Sequence, residues 1–348
     1  MRYLQINDPH ISDQPPRMRT ASYREDVLAK LAACVDIAIA EQVDRIVITG
    51  DVFHRKRARD TSHRTVQQVR AILHGGPPVS IVPGNHDEAH GGGLGGQPLL
   101  SLLDEHITLL DGTISMGVQH AGLTIESWED LEDWLEPNII AGVPWSNAFE
   151  REGGLEAFAA AARATGAMLI FTHSPISDRP FPFGPEAQGW MLRDDVAAAL
   201  EGSGVRIIAH GHFHQPQQIA IYQRPDMGTP FIVFSNPGAL ARATIAEDDR
   251  ERAPQVAIID SERLEGRYVE VPHRAASEVF RLAEHEASVT RREGVSALSA
   301  ALSSAYSEIV DAEYLTAAVR EQPRPQDVDE GDWARGQDLA IAAIDGVE

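Results

Sequence analysis

The chain has 348 residues, 43% of them hydrophobic and 24% charged, with a formal net charge of −22. That length buries a large core with room for a small appendage. The charge excludes broad, nonspecific nucleic-acid binding by the whole surface but not a local basic groove. No apolar run is long enough to span a membrane. The chain opens MRYLQINDPH, directly into a strand pattern, so no signal peptide is expected. A single cysteine, Cys34, excludes an internal disulfide and suits a reducing cytoplasm, with Cys34 read as a small apolar residue on a helix. Lysine is confined to Lys30 and Lys56, so nearly all positive charge is arginine.

Short apolar runs alternate with helical patterns. RYLQIN (2–7) reads as a buried strand. Residues 23–42 follow with Val27, Leu28, Leu31, Ala32, Val35 and Ile39 at helical spacing. RIVIT (45–49), a helix over 65–73, VSIV (79–82), IIAGV (139–143), a helix over 155–163, AMLIFT (167–172), a helix over 193–200 and RIIA (206–209) continue the alternation. Such alternation implies a mostly parallel sheet covered by helices. Residues 217–271 hold QIAIY, FIVF, QVAIID and RYVEV with little helix between them, which suggests a second, hairpin-connected sheet packed on the first. Beyond Pro272, residues 275–286 and 295–310 read as helices, with Leu298, Leu302, Ala305 and Ile309 on one stripe. Residues 321–337 are Pro-rich and acidic and read as a mobile linker before the apolar run DLAIAAI. The expected division is 1–271 and a C-terminal helical appendage, 272–348.

The polar residues fall at strand ends. Asp8 and His10 (DPH) follow the first strand, Gly50, Asp51 and His54 (GDVFH) the second, and Gly84, Asn85, His86 and Asp87 (GNHD) the third. His173 (THS) follows AMLIFT, and His212 and His214 (GHFH) follow RIIA. The C-terminal strand ends of an open α/β sheet share one edge, so seven potential ligands can converge there. Neutral imidazoles and carboxylates together suit divalent manganese, iron or zinc. Two ions about 3.5–4 Å apart can bind a phosphoryl oxygen and activate a water, and a single carboxylate can bridge them. Asp51 is the natural candidate for that bridge.

Each histidine alone would read as an ordinary hydrogen-bonded side chain, Asp8 as a turn residue and Asn85 as a turn former. Five motifs in order, each after a strand, are specific. They resemble the calcineurin-like metallophosphoesterase superfamily over roughly residues 1–260. The resemblance implies an α/β/β/α four-layer sandwich with a small helical or capping appendage. It implies that Asp8, His10, Asp51 and His214 hold one ion and that Asp51, Asn85, His173 and His212 hold the other. His86 would stabilise or protonate the leaving oxygen, and Asp87 would orient His86 from behind.

GDVFH resembles the Gly-Asp-x-Phe-His of SbcD-type double-strand-break-repair nucleases, and SNPGALARATIAED, with Arg242 and Glu247, resembles their later segment. That likeness implies a metal-dependent DNA exonuclease, with endonuclease action as an addition, for which manganese is the preferred ion. It also implies DNA and an SbcC-type coiled-coil ATPase as partners, with a homodimer as a further assembly. His54 would help place the DNA strand. Arg55–Arg59 with Arg64 and Arg70 would contact phosphates of a polymer, with a solvated loop paired with carboxylates as the alternative. The first motif departs from the family at Ser12, where many members have glycine. Two other readings stand beside the nuclease. A small-molecule phosphodiesterase or phosphomonoesterase would share every ligand, whereas a non-catalytic scaffold would be expected to have lost some. The remaining histidines, His210 among them, read as structural or surface residues. The glycine-rich loop Gly91–Gly96 lacks the marks of a phosphate cradle and reads as a flexible connection.

Overall fold

The computed structural model describes residues 1–88, 94, 97–111, 114–116, 139–180, 190–223, 230–308, 312–325 and 328–345. The glycine-rich connection over 91–96 lies almost wholly outside them. Two compact units are present, Met1–Phe280 and Arg281–Glu348. In chain order the first contains β1 (Arg2–Ile6), α1 (Tyr23–Ala40), β2 (Arg45–Thr49), α2 (His63–Leu73), β3 (Val79–Val82), β4 (Ile107–Leu109), β5 (Ile114–Met116), β6 (Ile139–Val143), α3 (Gly154–Ala164) and β7 (Leu169–Thr172). It continues through β8 (Ile176–Ser177), β9 (Met191–Leu192), α4 (Arg193–Ala199), β10 (Ile207–His210), β11 (Gln217–Gln223), β12 (Pro230–Asn236), α5 (Glu247–Arg250), β13 (Gln255–Asp260), β14 (Glu265–Glu270) and α6 (Ala276–Val279).

Two six-stranded sheets carry the unit, ordered β14-β13-β1-β2-β3-β4 and β11-β12-β10-β7-β6-β5. Strands β1 to β4 are parallel, as are β6, β7, β10 and β12. Side chains alternate between two buried faces. Leu4, Ile6, Ile46, Ile48 and Ile81 pack beneath α1 and α2 with Val27, Leu31, Cys34 and Val69. Tyr3, Val47 and Val82 point the other way, against Ile140, Leu169, Phe171, Ile207 and Val233 of the second sheet. The second sheet's outer face, with Ala141, Ile170, Ile208 and Phe234, is covered by Phe158, Ala162 and Val196 of α3 and α4. The layers are therefore helix, sheet, sheet, helix. A strand covered on both faces is apolar at most positions, which is why these runs lack polar alternation apart from hydrogen-bonded exceptions such as Gln5 and Thr49.

The four strands after residue 217 do not make a sheet of their own. β12 lies parallel to β10 with β11 hairpinned outside it, while β13 runs antiparallel to β1 with β14 outside that. They split between the two sheets and extend both. The two sheets also divide the motif strands, β1 to β3 in one and β7 and β10 in the other. The parallel sheet expected to carry all five motifs is thus two sheets.

The first unit runs to Phe280 because Val279 and Phe280 are buried in it: the Arg19 guanidinium lies 4.7 Å from the Phe280 ring and donates to the Val279 carbonyl at 3.0 Å. The second unit holds α7 (Leu282–Glu308), α8 (Ala312–Glu321) and α9 (Glu330–Asp345). The stripe expected on α7 includes Ile309, which lies outside the described residues. The expected linker over 321–337 is half helical. Asp329 caps α9, its Oδ1 accepting from Gly331 N–H at 2.8 Å and its carbonyl from Trp333 N–H at 2.9 Å, and Gln337 donates to the Val319 carbonyl at 2.7 Å. A cap and a docked face outweigh acidic composition. Among the described residues, no helix is long and apolar enough to cross a membrane.

One polar cluster interrupts the apolar layer between the sheets. Asn7 Nδ2 donates to the His210 carbonyl at 2.8 Å and to Asn236 Oδ1 at 2.9 Å; Gln5 Nε2 donates to Asn7 Oδ1 at 2.8 Å. The Thr49 hydroxyl donates to Asn7 Oδ1 as well, and Ser235 Oγ donates to Gln5 Oε1 at 2.9 Å. These buried amides tie the ends of β1 and β2 to those of β10 and β12. A satisfied network of this kind fixes one relative placement of the sheets, since a slip would orphan several buried polar groups.

Candidate metal centre

The linked strand ends open into the loops that carry the motifs. Among the described residues six non-glycine residues have positive φ, and four are Asp8 (48°), His10 (45°), Asp51 (52°) and His212 (81°). Left-handed backbone costs about 1–3 kcal/mol per non-glycine residue and collects at functional sites. Here it turns the loops sharply inward. Gly50 (φ 88°) precedes Asp51, and a Cβ there would overlap the His173 ring. A Cβ at Gly84 would overlap the Asp51 carboxylate.

Asp51 is central. Its Oδ2 lies 3.5 Å from His10 Nε2 and 3.6 Å from His173 Nε2. On one side His10 Nε2 faces His214 Nε2 at 3.0 Å, and Asp8 Oδ1 lies 3.9 Å from His214 Nε2. On the other, His173 Nε2 is 3.0 Å from Asn85 Oδ1 and 3.3 Å from His212 Nδ1, with Asp8 Oδ1 3.8 Å from His173 Nδ1. All seven motif residues meet, and the groups Asp8–His10–His214 and Asp8–Asp51–His173 are close enough to hold an ion.

The donor chemistry fits divalent cations. His173 donates through Nδ1 to the Thr49 carbonyl at 2.8 Å, which leaves Nε2, 3.0 Å from Asn85 Oδ1, as the ring nitrogen that can turn a lone pair on an ion. Asp8 Oδ1 is buried without a hydrogen-bond partner. Converging acceptors of this kind repel one another unless a cation sits among them.

The electrostatics agree. Burial, then the neighbouring Asp51 charge, pushes the Asp8 carboxyl well above its usual range. Burial raises Asp51 too, but the His173, His10 and His86 imidazoles hold it below the ordinary carboxylate value. Burial lowers His10 and His214, offset in part by Asp51, and burial followed by His173 lowers His212 to about 3. Neutral imidazole is the form that binds metal.

His86 and His54 flank the ligands. His86 Nδ1 donates to the His54 carbonyl at 2.7 Å, and His86 N–H donates to Asp51 Oδ1 at 2.8 Å. The two rings stack with centroids 5.4 Å apart, and His54 Nδ1 lies 3.4 Å from His10 Nδ1. Burial, then His86 and Arg55, lowers His54 to about 4. Asp87 sits elsewhere than its expected place behind His86. Its Oδ2 accepts the backbone N–H groups of Asp51 at 2.8 Å and Gly84 at 3.0 Å, so it braces the Asp51 loop, while a backbone carbonyl anchors the His86 ring. Burial, then Asp51, pushes the Asp87 carboxyl up to about 8.

Arg55, Arg57, Arg59 and Arg64 are exposed beside this edge, whereas Arg70 is paired with Asp104 at 2.5 Å. His210 stays structural: buried on β10, its carbonyl holds the Asn7 amide and its ring meets Phe234 edge-on. Three contributors escaped sequence reasoning. Asn7 closes an otherwise apolar run that also holds the amide Gln5, a faint signal. Tyr23 OH donates to the His10 carbonyl at 2.9 Å, and Glu150 Oε1 lies 3.6 Å from His212 Nε2. Neither had a motif to mark it.

The sequence pattern of the calcineurin-like phosphoesterase family matches residues 1–216. The chain is similar to the DNA double-strand break repair protein Mre11 of Aeropyrum pernix, 23% identical over 276 residues. That alignment covers 78% of this chain and spans 61% of the relative's length. Among solved structures it is similar to TT1561 of Thermus thermophilus (15% identity, TM-score 0.44, covering 78% of this chain and 99% of that one). It is also similar to a dimetal phosphatase of Danio rerio (16% identity, TM-score 0.41, the same coverage).

Proposed function

The chain belongs to the calcineurin-like phosphoesterase family, hydrolases of phosphoric ester bonds, and on that premise we propose that it is a metal-dependent DNA nuclease acting chiefly as an exonuclease. Asp8, His10, Asp51 and His214 would hold one ion and Asp51, Asn85, His173 and His212 the other, with manganese the preferred metal. When bound, the ions would neutralise phosphoryl oxygens and acidify a water.

The chain's own residues supply the rest. His86, anchored through Nδ1, would as the imidazolium hold a proton on Nε2 and pass it to the departing sugar oxygen, ending as the neutral ring. Asp87 keeps the Asp51 loop in place through backbone N–H groups.

The observation that carries the nuclease reading is His54. It is an imidazole outside both ligand sets, stacked on His86 and continuous with the exposed Arg55, Arg57 and Arg59. A hydrolase of small esters has no use for that extension, whereas a polymer offers further phosphates to it. The likeness to a double-strand break repair protein supports the same substrate. An SbcC-type ATPase is the partner this reading entails, in a cytoplasmic setting, with a homodimer as a further assembly.

The test is a substrate panel with manganese: linear duplex DNA, plasmid, cyclic nucleotides and p-nitrophenyl phosphate esters. His54→Ala should depress DNA degradation more than hydrolysis of a small diester. Cleavage of small esters alone, or equal losses on both substrates, would transfer the assignment to a small-molecule phosphodiesterase or phosphomonoesterase.

A further inference from the structure

The site imidazoles are held from behind in different ways. His173 and His86 each donate an outer N–H to a backbone carbonyl, of Thr49 and His54 respectively. His212 turns Nδ1 toward His173 Nε2, at 3.3 Å, and Nε2 toward Glu150 Oε1, at 3.6 Å. Glu150 ends the 3₁₀ turn Asn147–Glu150, which follows β6, a strand that carries no ligand. Its Oε1 also accepts the Trp145 indole N–H at 2.6 Å. The Trp145 backbone N–H in turn donates to the Pro83 carbonyl at 3.1 Å, immediately before the Gly84–Asp87 loop.

We propose that Glu150 is a positioning residue for His212. Its carboxylate selects the Nε2–H tautomer and so aims the Nδ1 lone pair at the ion shared with Asp51, Asn85 and His173. The proposal rests on the two-ion reading above. Ligating histidines usually donate their second N–H to a carboxylate or carbonyl, which orients the ring and raises its basicity. At 3.6 Å the contact is longer than a direct hydrogen bond, and such contacts tighten when the bound partner is in place. Trp145 keeps the half-exposed carboxylate from swinging into solvent. The chain Pro83–Trp145–Glu150–His212 also joins the loop carrying Asn85 to the loop carrying His212, two donors of the same ion. Loss of Glu150 therefore acts on one ion of the pair.

The experiment titrates manganese into the full-length, metal-stripped protein by calorimetry, for wild type, Glu150→Ala, Glu150→Gln and Trp145→Phe. Glu150→Ala should weaken one of two binding events by about 10–100-fold and leave the other unchanged. Glu150→Gln, which keeps an acceptor without the charge, should fall between, as should Trp145→Phe. In the metal-stripped protein, long-range ¹⁵N correlation spectra should show the His212 Nε2–H tautomer in wild type and its loss in Glu150→Ala. Two unchanged binding events together with an unchanged tautomer overturn the proposal. So does equal weakening of both events with a lower melting temperature of the metal-free protein, which marks support of the fold instead. A wild type that binds fewer than two ions defeats the two-ion reading, while the tautomer spectra still decide the role of Glu150.

Discussion

The two sheets bring different chemistry to the shared edge. The loops after β1, β2 and β3 carry every carboxylate of the proposed ligand set, Asp8 and Asp51, together with the bracing Asp87 and the flanking His54 and His86. The loops after β7 and β10 carry only imidazoles, His173, His212 and His214. Alone, the first half would hold buried carboxylates repelling one another, and the second a group of neutral rings with little hold on a hard cation. The centre exists only where the halves meet, and Asn7 and its amide partners fix how they meet.

That contrast can be broken at several points. The largest effect is expected at Asp51, whose Oδ2 faces His10 on one side and His173 on the other. Asp51→Asn should lower affinity for both ions by more than about 100-fold, above the range for outer-shell partners. Metal content after dialysis measures it, and retention of two tightly held ions would refute the bridge. His86→Ala should slow turnover by about 10²–10⁴-fold while metal content stays at the wild-type value. A variant that loses metal would mean that His86 is a ligand.

Asn7→Ala attacks the seam. Each orphaned buried partner costs about 1–3 kcal/mol, so urea unfolding should register a loss of about 3 kcal/mol. A change within error would mean that apolar packing alone aligns the sheets.

The mildest test changes only pH, in metal-free protein. His54, lowered to about 4, and His210 and His212, lowered to about 3, are neutral when folded. The unfolded chain protonates histidine near pH 6.5, so it binds more protons below that value and stability falls as pH drops. Asp87, raised to about 8, works the other way: the folded state keeps its proton longer, and stability falls as pH rises toward 8. Metal-free protein should therefore melt highest near about pH 6.5 and lose about 1 kcal/mol over the first unit below it, with His54 discounted for its partial solvation. A flat profile from pH 5 to 8 would show that these groups are not held as described.

The site was more legible than the frame around it. Asp8, His10, Asp51, Asn85, His86, His173, His212 and His214 each follow an apolar run, and their arrival at one edge needs only the rule that strand ends carry sites. Adjacency of Asp87 to His86 in sequence suggests adjacency of side chains, whereas the turn swings the Asp87 carboxylate toward backbone N–H groups. Composition made a linker of residues 321–337, and a single capping aspartate made part of it helix.

The sequence by itself determined the covered strands and the chemistry at their ends: apolar strands demand cover on both faces, and Asp-x-His, Gly-Asp and Gly-His-x-His after such strands demand a cation or a proton acceptor. Only the tertiary structure decided that the parallel strands divide between two sheets, that β11–β12 and β13–β14 part company, and that Asn7, Tyr23, Glu150 and Asp87 stand behind the site. The physical reason is range. Periodicity and turn chemistry act over a few residues, whereas the partner of a strand edge or an imidazole N–H is chosen by whichever distant group the packed core brings within about 3 Å.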